Sequence, residues 1–87
     1  MNVETIWAQI KSHEGEVFHT KTGLPFKYQI LSNAVIPDRT GFPLAKSNFE
    51  KAANIDPLIA PCQINKLVMG PSYVYAILTD QRIQSAN

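Results

Sequence analysis

Between Phe26 and Ile30 apolar and polar side chains alternate, and Val35-Ile36 follows closely behind. A period of two puts Phe26, Tyr28 and Ile30 on one face of a strand and Lys27 and Gln29 on the other. Ser32-Asn33 reads as a tight turn and Ala34-Val35-Ile36 as the returning strand. Every other apolar segment is short and needs a surface to pack on, and this hairpin is the best surface the chain offers. Its 87 residues allow one small core, so residues 1–87 are read as a single domain.

In chain order, Asn2 is placed to cap a first helix over residues 3–13, with Val3, Ile6, Trp7 and Ile10 on one face and Gly15 as its stop. Residues 16–20 read as a short strand and Lys21 to Pro25 as a turn in which Gly23 supplies positive φ. The strand from Phe26 and its partner follow, ending at Pro37. Asp38 to Pro43 is a loop. Ser47-Asn48-Phe49-Glu50 matches a capping box, and it opens a helix that buries Phe49, Ala52 and Ala53. Asn54 can end that helix and Pro57 forbids its continuation. From Leu58 to Val68 the pattern chooses no secondary structure, although Ile64, Leu67 and Val68 are expected inside. Tyr73, Val74, Tyr75 and Ile77 suit a strand, but the Gly70-Pro71-Ser72 lead-in, with Ser72 as cap, favours a helix over residues 73–80.

Composition excludes several classes. The chain is 45% hydrophobic and 17% charged, ordinary for a globular domain and unlike a disordered or disulfide-stapled one. Cys62 is the only cysteine, so no internal disulfide forms, and one free thiol fits a reducing cytoplasm. No signal-peptide pattern stands at the start, and no apolar run approaches the ~20 residues a membrane helix needs. Net charge is +1, too small for a strong global field. It is uneven: Lys21 to Lys51 holds five bases against two acids, and the remainder three bases against five acids.

No catalytic or metal motif stands out. His13 and His19, with Glu14 and Glu16 nearby, match no zinc or iron spacing and read as polar residues around a turn. Cys62 has no histidine after it and no surrounding signature, so it reads as a small half-buried thiol. Asp38, Asp56 and Asp80 each border a turn or helix end, where aspartate serves the backbone. Asp38 and Arg39 form the most site-like pair, with His19 the only further titratable candidate. Gly70-Pro71-Ser72 lacks the glycines and lysine of a phosphate loop. The chain is therefore expected not to be an enzyme and to need no cofactor.

Two binding surfaces are suggested. Eight aromatics exceed what so small a core requires. Tyr73 and Tyr75, with Arg82 after them, are residue types favoured as interface anchors, so the first expectation is a protein-binding or self-associating module. The second is a nucleic-acid-binding domain using Lys27 and Gln29 on the outer sheet face with Arg39, Lys46 and Lys51 around it. A pI near 7.9 lies below the usual basic footprint of such domains.

The runs Gly15-Glu16-Val17-Phe18, Thr22 to Tyr28, Lys46 to Ala52 and Gly70 to Leu78, with Arg82-Ile83, resemble small uncharacterised bacterial proteins of the kind found in mobile gene cassettes. That resemblance implies a compact cytoplasmic domain and attaches no activity, cofactor or catalytic residue to it. The expected fold is α+β: a three-stranded antiparallel meander packed by an N-terminal helix and one or two C-terminal helices. Its core is expected to be Ile6, Trp7, Ile10, Phe18, Phe26, Tyr28, Ile30, Val35, Phe49, Ala52, Val74, Ile77 and Leu78.

Overall fold

A computed structural model describes residues 3–55 and 58–84. The expected caps and stops at Asn2 and Pro57, and Asp56, lie outside the described residues. Helix α1 (Val3–Ser12) buries Ile6, Trp7 and Ile10, as their spacing requires. Five short strands follow: β1 (Phe18–His19), β2 (Pro25–Phe26), β3 (Tyr28–Leu31), β4 (Ala34–Pro37) and β5 (Leu44–Ala45). Helix α2 (Lys46–Ala53), a 3-10 turn over Pro61–Ile64, helix α3 (Pro71–Thr79) and helix α4 (Gln81–Gln84) complete the described chain. The fold is α+β, with an antiparallel three-stranded sheet, an N-terminal helix and C-terminal helices.

The membership of that sheet differs from the simple meander. β3, β4 and β5 form it, while β1 pairs antiparallel with β2 in a separate ladder. The alternating stretch is broken at Lys27. Asp38 holds this residue twice: the Asp38 amide donates to the Lys27 carbonyl at 2.9 Å, and the Lys27 amide donates to Asp38 Oδ1 at 3.1 Å. Arg39 Nε donates to the Pro25 carbonyl at 2.7 Å. The Asp38-Arg39 pair thus fixes the junction at which β2 turns toward β1 and β3 toward β4.

The β3–β4 hairpin has the expected two-residue turn. Leu31 faces Ala34 across it, and Ser32 adopts φ 56, the positive φ that primed hairpin turns require. The outer edge of β3 is covered by the turn that follows α1. The Gly15 amide donates to the Tyr28 carbonyl at 3.0 Å, and Glu14 Oε2 accepts the Ile30 amide at 2.8 Å. These bonds occupy groups that an open strand edge would offer to another chain. β5 runs straight into α2. Ala45 is therefore the N-cap, and no side chain caps the helix, so Ser47 and Glu50 do not form their box. The Lys46 amide instead donates to the Asn33 carbonyl at 2.8 Å.

The helices cover one face of the strands. α1 packs on α2 and α4, and α3 packs on α2, α4, the 3-10 turn and β1. Twelve of the thirteen expected core residues are buried, and Ile30 is half-buried against them. Leu44, Ala76 and Ile83 join the core without having been expected there. Phe18 sits at its centre, with ring centroids 6.1 Å from Phe26 and 5.3 Å from Tyr28. The segment from residue 70 is a helix, but Gly70 rather than Ser72 is its N-cap and Pro71 occupies the first turn. Ile64 and Val68 are buried as expected, whereas Leu67 is exposed. No helix among the described residues is long and apolar enough to cross a membrane.

Candidate functional site

The residues proposed for partner contact from sequence, Tyr73, Tyr75 and Arg82, are engaged within the chain. Tyr73 is half-buried, and its ring meets Phe26 edge-on at 5.0 Å. The Tyr75 hydroxyl donates to the Ile59 carbonyl at 2.9 Å, tying the preceding loop to α3. Arg82 is the most connected of the three. Its guanidinium grips Asp80 through Nε at 2.9 Å and Nη2 at 3.0 Å, a two-pronged geometry that matches a carboxylate. Nη1 donates to Glu16 Oε1 at 3.0 Å and Nη2 to the Val17 carbonyl at 2.9 Å. The guanidinium carbon lies 3.8 Å from the Phe18 ring centroid. Arg82 thus joins α4 to the segment leading into β1 and closes the core over Phe18.

The charges around Arg82 shift accordingly. Its hydrogen bonds hold the Asp80 carboxyl below its ordinary value. The Glu16 carboxyl is held low chiefly by His13, whose Nδ1 donates to Glu16 Oε2 at 2.8 Å, and further by Arg82. Burial pushes the Tyr28 hydroxyl well above the ordinary value, with the Glu16 carboxylate adding to the effect. Tyr28 therefore stays protonated and donates to the Ile10 carbonyl at 2.6 Å. It is a structural donor and not a base.

The basic residues are scattered in role. Lys27 and Gln29 are exposed on the outer side of the strands. Arg39 is pinned to Pro25, and Lys46 pairs with Glu4 at 3.1 Å and lies 5.9 Å from the Trp7 ring centroid. Lys51 is exposed on α2. His19 faces Pro25 across the β1–β2 ladder, Arg39 reaches the Pro25 carbonyl and Asp38 the Lys27 amide, but no hydrogen bond or ion pair joins the side chains of His19, Asp38 and Arg39 among the described residues. Cys62 is exposed in the 3-10 turn, not half-buried. Among the described residues no group of three metal-ligating side chains converges.

Among the described residues, a cleft and an exposed apolar pair of loops are open to solvent. The first is a cleft of about 380 Å³ lined by Gly15, Lys27, Tyr28, Gln29, Ile36 and Asp38. The second is apolar. Phe42 is 63% exposed, Met69 61% and Leu67 47%. Their two loops converge where Gly70 meets Leu44: a Cβ added at Gly70 would stand 3.0 Å from Leu44 Cδ2. Gly70 holds φ +61, so only glycine passes this contact without strain. Phe42 is the one aromatic of the eight not in the core or packed against it. In the sequence it counts with the other seven; its place between Gly41 and Pro43, in a stretch that reads as a loop, is the signal that could have found it.

No protein-family model matches the chain, and neither a curated protein nor a solved structure does.

Proposed function

We propose that this protein is a non-catalytic, self-associating module that meets a second copy of itself through the apolar end formed by Phe42, Leu67 and Met69. The observation that carries this reading is the convergence of two loops bearing large exposed apolar side chains at the Leu44–Gly70 contact. Scattered exposed hydrophobics are ordinary on a protein surface, but an aromatic and a methionine on two loops that meet have the makeup of an adaptable contact surface. A second copy is favoured over other occupants because the net charge is only +1. Chains this close to neutrality repel their own copies weakly.

The edges of the sheet argue for side-chain rather than strand-to-strand pairing. The outer edge of β3 is occupied by Glu14 and Gly15, and β5 is two residues long with Pro43 before it.

The test is sedimentation equilibrium over a range of concentrations, together with a titration of mixed-sequence DNA and RNA at two salt concentrations. The reading expects the 9.7 kDa chain to sediment with the mass of two chains as concentration rises. A strict monomer overturns it. Tight, salt-sensitive nucleic-acid binding by a monomer moves the function to Lys27, Gln29, Arg39, Lys46 and Lys51.

A further inference from the structure

The cleft beside Lys27 carries a second inference, independent of self-association. Its volume of about 380 Å³ is at the small end of the range that holds ligands, roughly 300–1,000 Å³. Its walls come from rigidly tied backbone. Gly15 is bonded to Tyr28, and Lys27 and Asp38 are joined by two hydrogen bonds of 2.9 and 3.1 Å. The cleft is thus preformed.

Its charges are arranged unusually. Lys27 and Asp38 border the same space and touch through their backbones, yet the Lys27 ammonium and the Asp38 carboxylate do not pair. The ion pairs among the described residues are His13–Glu16, Lys46–Glu4, Arg82–Glu16 and Arg82–Asp80. Asp38 spends Oδ1 on the Lys27 amide and keeps its other oxygen for an incoming donor. Two positions further along the strands, and lining the same cleft, are Gln29 and Ile36, which are cross-strand partners in the hairpin.

We propose that this cleft binds a small zwitterion with an apolar side chain, that is, a free aliphatic α-amino acid. Its carboxylate meets Lys27, its ammonium meets Asp38, and its side chain lies against Ile36. Neither charge alone holds a ligand, because a single exposed ion pair is weak in water. Two charges of opposite sign on one small molecule, with apolar contact beside them, give modest affinity and strong discrimination against ligands that carry only one.

The experiment is a nitrogen-15 NMR titration with three probes: L-leucine, 4-methylpentanoate, which keeps only the carboxylate, and 3-methylbutylamine, which keeps only the ammonium. The expected result is saturable shifts with leucine at the amides of Gly15, Lys27, Gln29 and Asp38. Each single-charge probe should bind at least about tenfold more weakly, or ~1.4 kcal/mol. Asp38→Asn retains an oxygen for the Lys27 amide while removing the charge, and Lys27→Met changes an exposed side chain. Both variants should keep the spectrum of the folded protein and lose about tenfold in leucine affinity. Absence of saturable shifts, equal response to all three probes, or unchanged affinity in both variants overturns the proposal.

Discussion

At the Arg82 end of the molecule, a cation closes over the Phe18 ring and satisfies two carboxylates and a carbonyl. At the Phe42 end, loops from opposite halves of the chain also meet, but with a glycine against a leucine and with large apolar side chains left in water. Both ends join distant segments. The first does so by charge and hydrogen bonds that are consumed internally. The second relies on close backbone approach and leaves its side chains unspent. The arginine and tyrosines that look like anchors in the sequence make contacts within the chain, whereas a phenylalanine and a methionine in loops stand exposed.

Truncating a phenylalanine at each end is the sharpest way to break this contrast. Phe18→Ala should cost about 3–5 kcal/mol, because the ring is fully buried among Phe26, Tyr28 and Arg82. Phe42→Ala should stay within about 0.5 kcal/mol when measured on the monomer. Chemical denaturation of the two variants side by side checks both. Equal losses would erase the distinction between closed and open ends.

Arg82→Met keeps much of the bulk over Phe18 and removes the charge. Its contacts are partly exposed and screened, so the expected cost is about 1–2 kcal/mol, combining ion pairs with the cation–ring contact. Gly70→Ala should cost about 1 kcal/mol or slightly more, from a left-handed backbone and a 3.0 Å approach to Leu44. A melt unchanged by Gly70→Ala would mean that the two loops are not held together as described.

Acid should loosen the Arg82 end selectively. A carboxyl whose folded pKa lies below its ordinary value adds stability above that ordinary value, and the contribution is lost as pH falls through the folded value. Glu16 and Asp80 are both depressed, from 4.5 and 3.8, so their contribution is complete at neutral pH and fades below those values. The gap in melting temperature between wild type and Asp80→Asn should therefore be full near neutrality and shrink toward pH ~3. A gap that grows with acid would contradict the assigned ion pairs.

Much of the framework was legible in the residues. Ile6, Trp7 and Ile10 announced α1 by spacing, and Ser32-Asn33 announced the hairpin turn, because both are local signals. The departures have non-local causes. Lys27 continues an alternating pattern, but Asp38 and Arg39, eleven or more residues away, hold the backbone there and divide the strand. Ser47 and Glu50 have the spacing of a capping box, yet β5 feeds the helix directly and Ala45 takes the cap position. β5 itself is only Leu44-Ala45, too short to show a period. Ile83 is buried because α4 folds back onto α1, which a single apolar residue among polar ones does not reveal. The open apolar end was hidden for a related reason: Phe42 counted as one aromatic among eight until packing showed which seven the core uses.

The most direct test of the open end is sedimentation equilibrium of the Phe42→Ser/Met69→Ser double variant beside the wild type, with melting curves on both. The expected result is a two-chain mass for the wild type at high concentration and a one-chain mass for the variant, with the variant's folded core intact. A variant that keeps the two-chain mass would place the contact elsewhere and contradict the account.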